Sequence, residues 1–421
     1  MTASRSAVRP TTVEGSTQRS WIAVCEAPFV PATDGGRREH LGMIRALAAR
    51  DGLAAVVVCA PLADRVDPRD YVDVAGGVPV VVVPRRTSPL AHARPLVPFV
   101  WASRRASRGH GTLDLERLGR RVDADAVLAC SFKSAELADS LARRLGLPLV
   151  VRQHNVESDY HRDVGRAHGG ARRAYYALEA WRIARAERRL ARSPRLCGYA
   201  EISAVDRDRR RARAARAVLV PPLAIDFARA RPADPAGTDR SGVVFLGALD
   251  VATNQAGLRW FLDDVWPRVR EAHPAAEMVV AGRTPDAAFD ADLRGRPGVR
   301  TRYDVGDPEA LVRGAVVAVN PTVSGSGVNI KLLEYAAAGT AVVTTTRAAA
   351  GLPPLPPGVL PAADAAPAFA DLVGGLLAEP SAARALGLRL RAALREAVDA
   401  DVAVRALSDL AHPAVTLTEE S

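Results

Sequence analysis

Lys331 and Glu334 stand three positions apart, just after a small-residue loop, Ser324-Gly325-Ser326-Gly327. A buried strand, Ala315 to Val319, leads into that loop through Asn-Pro, and a helix over roughly Asn329 to Ala338 leaves it. Free backbone N–H groups at such a helix start converge on one spot, and the helix dipole favours negative charge there. The amides of Gly325, Ser326, Gly327, Val328 and Asn329 are the candidate donors, and Lys331 in the first turn adds a cation. The Glu334 carboxylate can accept two hydrogen bonds from neighbouring hydroxyls, as on a ribose. Diphosphate plus ribose diol describes a nucleotide. The other reading of the same stretch is an ordinary βαβ unit with a flexible loop, because short glycine patterns match by chance.

Two further places carry polar residues beside a predicted strand. Gly35-Gly36, before a helix that runs to Arg50, allow close backbone approach to a ligand, or form a tight turn. His154, in Gln153-His154-Asn155-Val156-Glu157, can position a sugar hydroxyl, shuttle a proton, or serve the capping of the next helix. Ser131-Phe132-Lys133 is a similar polar strand end.

The elements that must hold these residues are legible as apolar runs. Trp21–Cys25, Ala55–Cys59, Val78–Pro84, Ala126–Cys130, Leu147–Val151, Cys197–Ser203 and Ala217–Pro222 read as strands separated by helical stretches. Continuous Val, Ala and Leu runs predict parallel strands covered on both faces, with ligands at their carboxyl ends. Residues 223–240, part of a Pro, Ala, Asp and Arg-rich break from Pro221, read as an inter-domain linker. A second domain of the same plan follows, with strands at Val243–Asp250, Glu277–Gly282, Val299–Val305, Ala315–Val319, Ala341–Thr345 and Gly358–Leu360. The expected division is a disordered leader at 1–20, a first domain at 21–222, the linker, a second domain at 241–390, C-terminal helices at 391–412 packing back on the first domain, and a tail at 413–421.

The 421 residues are 48% hydrophobic, enough for two α/β domains with full cores. The net charge is +10, and only Lys133 and Lys331 among the cations are lysine. GC-rich coding produces such a skew, so abundant arginine is weak evidence for nucleic-acid binding, and no recognition motif accompanies it. A lysine where arginine was the easy choice singles out Lys331. The four cysteines lack metal-ligand spacing and read as reduced core residues of a cytosolic protein. No run approaches the length of a membrane span. Between Ala171 and Arg216 basic helical sequence mixes with Tyr175, Leu178, Trp181 and Ile183. It suits the anionic inner face of a membrane, at roughly 1 kcal/mol per well-placed cation, or is simply a solvated face.

The segments FLGALDVATNQAGLRWFLDDVWPRVREAHP, VVAGRTP and SGSGVNIKLLEYAAAGTAVVTT agree in order and spacing with one family over about a hundred residues, far more specific than one motif. The second domain resembles the donor domain of retaining glycosyltransferases of the GT-B fold, the family-4-type group (glycosyl transferases group 1). The first domain is similar more loosely, through APFVPATDGGRREHLGMIRALA and RQHNVESDYHRDVGRA. The resemblance implies an α/β GT-B architecture, two doubly wound Rossmann-like domains facing each other across a cleft. It implies a hexosyltransferase acting on a UDP-, GDP- or dTDP-sugar with retention, without metal or cofactor, and with an acceptor left open. Gly35 and Gly36 would face the diphosphate, Gly247 would lie in the first loop of the donor domain, and Arg283 and Val305 would lie near the base. His154 would bind the sugar or acceptor, with Glu157 and Asp159 as weaker candidates. The family's paired glutamates, eight positions apart, fall on Ser326 and Glu334. Glu334 matches the ribose-binding member, whereas Ser326 departs from the sugar-binding one and replaces side-chain contact by backbone N–H groups. The family's basic pair falls on Ala248 and Asn254, which leaves Lys331 to neutralise the diphosphate. A related protein of weak or different activity, epimerase-like or non-catalytic, is the alternative these departures motivate.

Overall fold

The apolar runs assemble into two separate parallel sheets in a computed structural model of the chain, which describes residues 19–32, 34–61, 66–71, 73–85, 96–102, 118, 122–166, 168–213, 215–232, 241–324 and 327–412. The first sheet contains β1 (Trp21–Cys25), β2 (Leu53–Pro61), β3 (Val80–Arg85), β4 (Ala126–Ala129), β5 (Leu149–Gln153), β6 (Leu196–Glu201) and β7 (Ala217–Leu219). Its order is β3-β2-β1-β4-β5-β6-β7. The uninterrupted apolar character of β1 has a direct cause. Trp21, Ala23 and Cys25 enter one core, while Ile22 and Val24 enter another on the opposite face. The first core is closed by α1 (Gly35–Arg50) and the second by α2 (Ala135–Leu145) and the long helix that follows α3 (Glu157–Arg166), namely α4 (Gly170–Leu190). A short helix, α5 (Ala204–Arg211), follows β6. The four cysteines are free thiols, three of them buried.

The second sheet contains β8 (Val243–Ala248), β9 (Met278–Arg283), β10 (Val299–Tyr303), β11 (Val317–Asn320) and β12 (Ala341–Thr344), in the order β10-β9-β8-β11-β12. Around it lie α6 (Ala252–Trp260), α7 (Ile330–Ala337), α8 (Ala366–Ala378) and α9 (Pro380–Ala397). The sheet order reverses between β8 and β11, and the crevice outside their carboxyl ends is where ligands bind in such sheets. The expected strand at Gly358–Leu360 does not form. Prolines at 353, 354, 356, 357 and 361 remove the N–H donors that a ladder needs, and only Ala362 bridges Thr344.

The chain passes between domains twice. At the first crossing the Glu39 carboxylate of α1 binds Arg152 of β5 (Nε to Oε1, 2.8 Å) and accepts from the N–H of Leu223 (2.6 Å). This buried pair fixes where the linker leaves the first domain. At the second, Leu390 and Leu394 of α9 remain in the second domain's core, while Ala403, Val404 and Leu407 of α10 (Ala400–Ala411) join the first domain's core. The return therefore lies at Val398–Asp399, beyond the expected boundary at 391, because the buried face of α9 belongs to the second domain. Arg19 and Ser20, read as the end of the leader, are described and anchored: the Ser20 N–H donates to Asp125 Oδ2 at 2.8 Å. Residues 1–18, 233–240 and 413–421 lie outside the described residues.

Candidate active site

α7 is placed by its tyrosine. The Tyr335 hydroxyl donates to the Leu246 carbonyl and accepts from the Leu246 N–H, both at 2.9 Å, which pins the helix beside the end of β8. One turn earlier Lys331 reaches over Gly247, where an added Cβ would stand 3.2 Å from its Cδ. Its ammonium donates to Asn254 Oδ1 at 2.5 Å and lies 4.9 Å from the Phe245 ring centre. Asn254 is itself held, Nδ2 donating to the Ala248 carbonyl at 2.8 Å. Asn254, at a position where the family carries a cation, thus orients one instead. Burial pushes the Lys331 ammonium down to about 8, against the pull of Glu334.

At the start of α7, Asn329 is the N-cap residue but makes no side-chain cap bond to the helix amides. Its Nδ2 instead donates to Thr322 Oγ1 at 2.8 Å. The Leu332 N–H donates to the Asn329 carbonyl at 3.0 Å, which leaves the amides of Ile330 and Lys331 for another acceptor. The helix ends at Gly339, whose φ of +68° is the left-handed conformation expected there.

Glu334 is engaged across the cleft. Arg38 of α1 donates to its Oε1, joining the two domains. Burial raises the Glu334 acid, with Arg38 and Lys331 pulling against it. Sequence reasoning missed Arg38, although it lies in the GGRREH segment beside the two glycines. Gly35 lies close to the second domain, where an added Cβ would stand 3.1 Å from Ile330 Cγ1 at the start of α7. Gly36 makes no such approach, its nearest neighbour being Asp34 Oδ1 at 3.4 Å.

Gly325 and Ser326 lie outside the described residues. Gly327, next to them, has φ +82°. An added Cβ there would stand 2.3 Å from Asn155 Oδ1 and 2.6 Å from the His154 carbonyl oxygen. The loop's end is therefore pressed against the first domain at the predicted histidine. Desolvation, and then the neighbouring His40, hold His154 down to about 4, so its imidazole is neutral around pH 7. Beside it lies a buried group that sequence reasoning missed: His40 Nε2 is 3.2 Å from Glu26 Oε2. Burial pushes the Glu26 acid up, but His40, Lys133 and His154 outweigh it and bring it to about 2. Asp159 is occupied by Arg213 at 2.8 Å and by Arg162, and Glu157 is buried with its acid pushed up by desolvation.

The end of β9 carries Gly282, whose added Cβ would fall 1.6 Å from the Gly247 carbonyl oxygen at φ +152°. Only glycine fits there. Arg283 pairs with Asp250 at 2.9 Å. Val305 follows Asp304, a non-glycine residue at φ +47° whose carboxylate accepts from Thr284 Oγ1 at 2.6 Å. Among the described residues no three His, Cys, Asp or Glu side chains gather as a metal site would need.

Residues 240–379 match the family model described as glycosyl transferases group 1. That span lies within the second domain. The whole chain has the GT-B arrangement of two facing α/β domains. The Anabaena HepE structure in complex with UDP aligns with TM-score 0.63 at 13% identity, covering 93% of this chain and 99% of that one. Sucrose-phosphate synthase from Thermosynechococcus elongatus aligns with TM-score 0.58 at 16% identity, over 93% and 98% of the two chains. The N-terminal domain of Candida albicans trehalose-6-phosphate phosphatase aligns with TM-score 0.54 at 12% identity, over 96% and 98%. No curated protein sequence matches. Within the matched residues, the helix start with Lys331 and Glu334 lies at the switch point between β8 and β11, facing α1 across the cleft.

The basic stretch divides in two. Arg182 is buried against Glu179 at 2.5 Å, and Arg210 is buried against Glu201 at 2.8 Å, so these cations are structural. Tyr175, Leu178 and Trp181 of α4 are 37%, 43% and 49% exposed, and Arg172, Arg173, Arg185, Arg188, Arg189 and Arg192 are exposed with them. Among the described residues no helix is long and apolar enough to cross a membrane.

Proposed function

We propose that the chain transfers a hexose from a nucleoside-diphosphate sugar to an acceptor hydroxyl, with retention and without a metal ion. The observation that carries this is Lys331, a half-buried lysine whose ammonium is held by Asn254 over Gly247 at a helix start whose amides lack a side-chain cap. When the sugar C1–O bond to the diphosphate breaks, negative charge grows on the β-phosphate. Preorganised N–H groups and one cation stabilise that charge where it develops. The acceptor oxygen forms the new bond to C1, and its proton passes to the departing phosphate oxygen. His154, neutral and beside Gly327, binds a sugar hydroxyl, while the second oxygen of Glu334 takes a ribose hydroxyl beside its contact with Arg38. UDP-sugars are the first donors to test, since the Anabaena HepE complexes hold UDP and UDP-glucose. Thermal-shift screening against UDP-, GDP- and dTDP-sugars, followed by a nucleoside-diphosphate release assay with acceptor, tests the reading. Failure of every sugar nucleotide to raise the melting temperature removes it, and binding without acceptor-dependent release favours a non-catalytic binder.

Donor affinity should depend on pH through Lys331. The charged ammonium binds the diphosphate, and in the free protein that charge is present below about 8 and lost above it. Calorimetric titration with the nucleoside diphosphate should show affinity level to pH 7.5 and falling by up to about tenfold per unit above 8. Lys331→Met should remove that limb, and an unchanged limb in that variant assigns it elsewhere.

The protein in this reading is cytoplasmic and rests peripherally on the inner face of the membrane through the outer face of α4. Leu178, Trp181, Arg185 and Arg188 recur at three- and four-residue steps of α4, which places them along one side. Co-sedimentation should be strong with vesicles containing phosphatidylglycerol, weak with phosphatidylcholine alone, and reduced at least about tenfold by the Leu178→Ser, Trp181→Ser double variant. Equal binding by the variant counts against the surface.

A further inference from the structure

The chain's two crossings between the domains enclose a cavity of about 770 Å³. α1 lines it with Arg45, Ala48 and Ala49, the first crossing with residues 223–229, and the return with Arg395, Val398, Asp399 and Ala400. α1 and the first crossing are in close contact, for a Cβ added at Gly42 would fall 1.8 Å from the Leu223 carbonyl oxygen. From the second domain, Arg391 of α9 donates to the Phe227 and Ala230 carbonyls at 2.8 and 2.9 Å, which ties the linker to that helix. Of the residues lining the cavity, Arg38 alone also belongs to the candidate active site, so this is the hinge and not the cleft.

The charge here does not balance. Five arginines line the cavity, Arg38, Arg45, Arg50, Arg229 and Arg395, against three carboxylates, Asp73, Asp226 and Asp399. Arg38 is engaged by Glu334, Arg50 by Asp401 and Arg229 by Asp226. Asp399 accepts from the N–H groups of Asp401 and Val402, and Asp226 from those of Ala228 and Arg229. Among the described residues Arg45 and Arg395 have neither an ion pair nor a hydrogen-bond partner, and both are exposed. Arg395 also crowds a neighbour: burial, and then its like charge, hold the Arg391 guanidinium below the usual arginine range. Asp73 is the one lining carboxylate left to offset these cations. A guanidinium binds a phosphate through two parallel N–H bonds, and a phosphomonoester carries charge enough for two such partners. The volume suits a small metabolite rather than a bare ion.

We propose that the hinge cavity is a regulatory site for a small phosphomonoester, held between Arg45 of the first domain and Arg395 of the second. An anion bridging these two arginines favours the domain arrangement that brings both to one cavity. In that arrangement Arg38 reaches Glu334, and Gly327 meets the first domain. The anion should therefore tighten donor binding, and the donor should tighten anion binding by the same factor. Anion binding stands on the cavity's own geometry, whereas its effect on the donor rests on the transferase reading.

Calorimetric titration of the full chain with glucose 6-phosphate, fructose 6-phosphate and glycerol 3-phosphate tests this, with glucose and inorganic phosphate as comparisons. At least one ester should bind the wild type, inorganic phosphate more weakly and glucose not at all. The Arg45→Ser, Arg395→Ser double variant should weaken the ester at least about tenfold. Both side chains are exposed, so the fold does not depend on them. Lys331→Ala should keep the ester, which separates the hinge from the donor helix. With that ester saturating, UDP should bind the wild type at least about fivefold tighter, and the double variant no tighter than without it. No ester binding by the wild type, undiminished binding by the double variant, or binding lost only in Lys331→Ala overturns the proposal. Inorganic phosphate binding as tightly as the ester overturns the ligand class, and a UDP affinity unmoved by the ester overturns the regulatory role. Ester binding lost in the double variant while UDP binds no form leaves the anion site standing and refutes the donor reading instead.

Discussion

Lys331→Ala should lower kcat/KM for the sugar nucleotide by about a hundredfold or more. The ammonium meets the diphosphate in the bound donor and meets greater charge as the phosphate departs, so KM should rise and kcat should fall. Lys331→Arg should not restore activity. The lysine stem passes Gly247 with an added Cβ position only 3.2 Å from Cδ, and its head is fitted between Asn254 and the Phe245 ring. A guanidinium is larger and needs a planar fork of acceptors. That Lys331 is one of two lysines among 57 basic residues is consistent with a site that tolerates a compact charge only. Steady-state kinetics with the donor found in the nucleotide screen provide the measurement, and unchanged constants in Lys331→Ala would remove the residue's role.

Gly327→Ala should disable transfer without unfolding the protein. The new Cβ would lie within 2.6 Å of the His154 carbonyl oxygen and 2.3 Å of Asn155 Oδ1, at φ +82° where an L side chain is strained. Strain of this kind costs on the order of 1–3 kcal/mol, and the loop can relieve it only by moving away from the first domain. A shift of about 1 Å at the diphosphate contacts can lower the rate about a hundredfold. Gly375→Ala is the control: it lies in α8 with nothing within 4 Å of the added Cβ, and should be neutral or mildly stabilising. Full activity in Gly327→Ala would show that this contact between loop and first domain is not needed for transfer.

Much of this site was legible locally. β1 occupies the range expected of it, because its apolar run and flanking residues agree with the final packing. Lys331, Glu334 and Gly339 were readable because a helix start, its first turn and its left-handed stop are short-range features. The partner of Glu334 was not, since Arg38 is 296 residues away and reaches it only after two domains face each other. The pair of Glu26 and His40 is hidden for the same reason: each looks ordinary in its own element, and only the sheet order and α1 bring them together. The expected strand at Gly358–Leu360 failed where prolines overrule an apolar run. The return of the chain at Val398 was misplaced because both flanking helices are amphipathic, and periodicity does not say which core receives which face.

The central claim is that a diphosphate sits at the start of α7, against Lys331, inside the cleft between the domains. A crystal structure of the protein with a bound nucleoside diphosphate tests it most directly. The account predicts the two phosphates within hydrogen-bond reach of the Gly327–Lys331 segment and the Lys331 ammonium, with a ribose hydroxyl on Glu334. A nucleotide bound elsewhere, or that segment still closed by the protein's own side chains at saturating nucleotide, would contradict it.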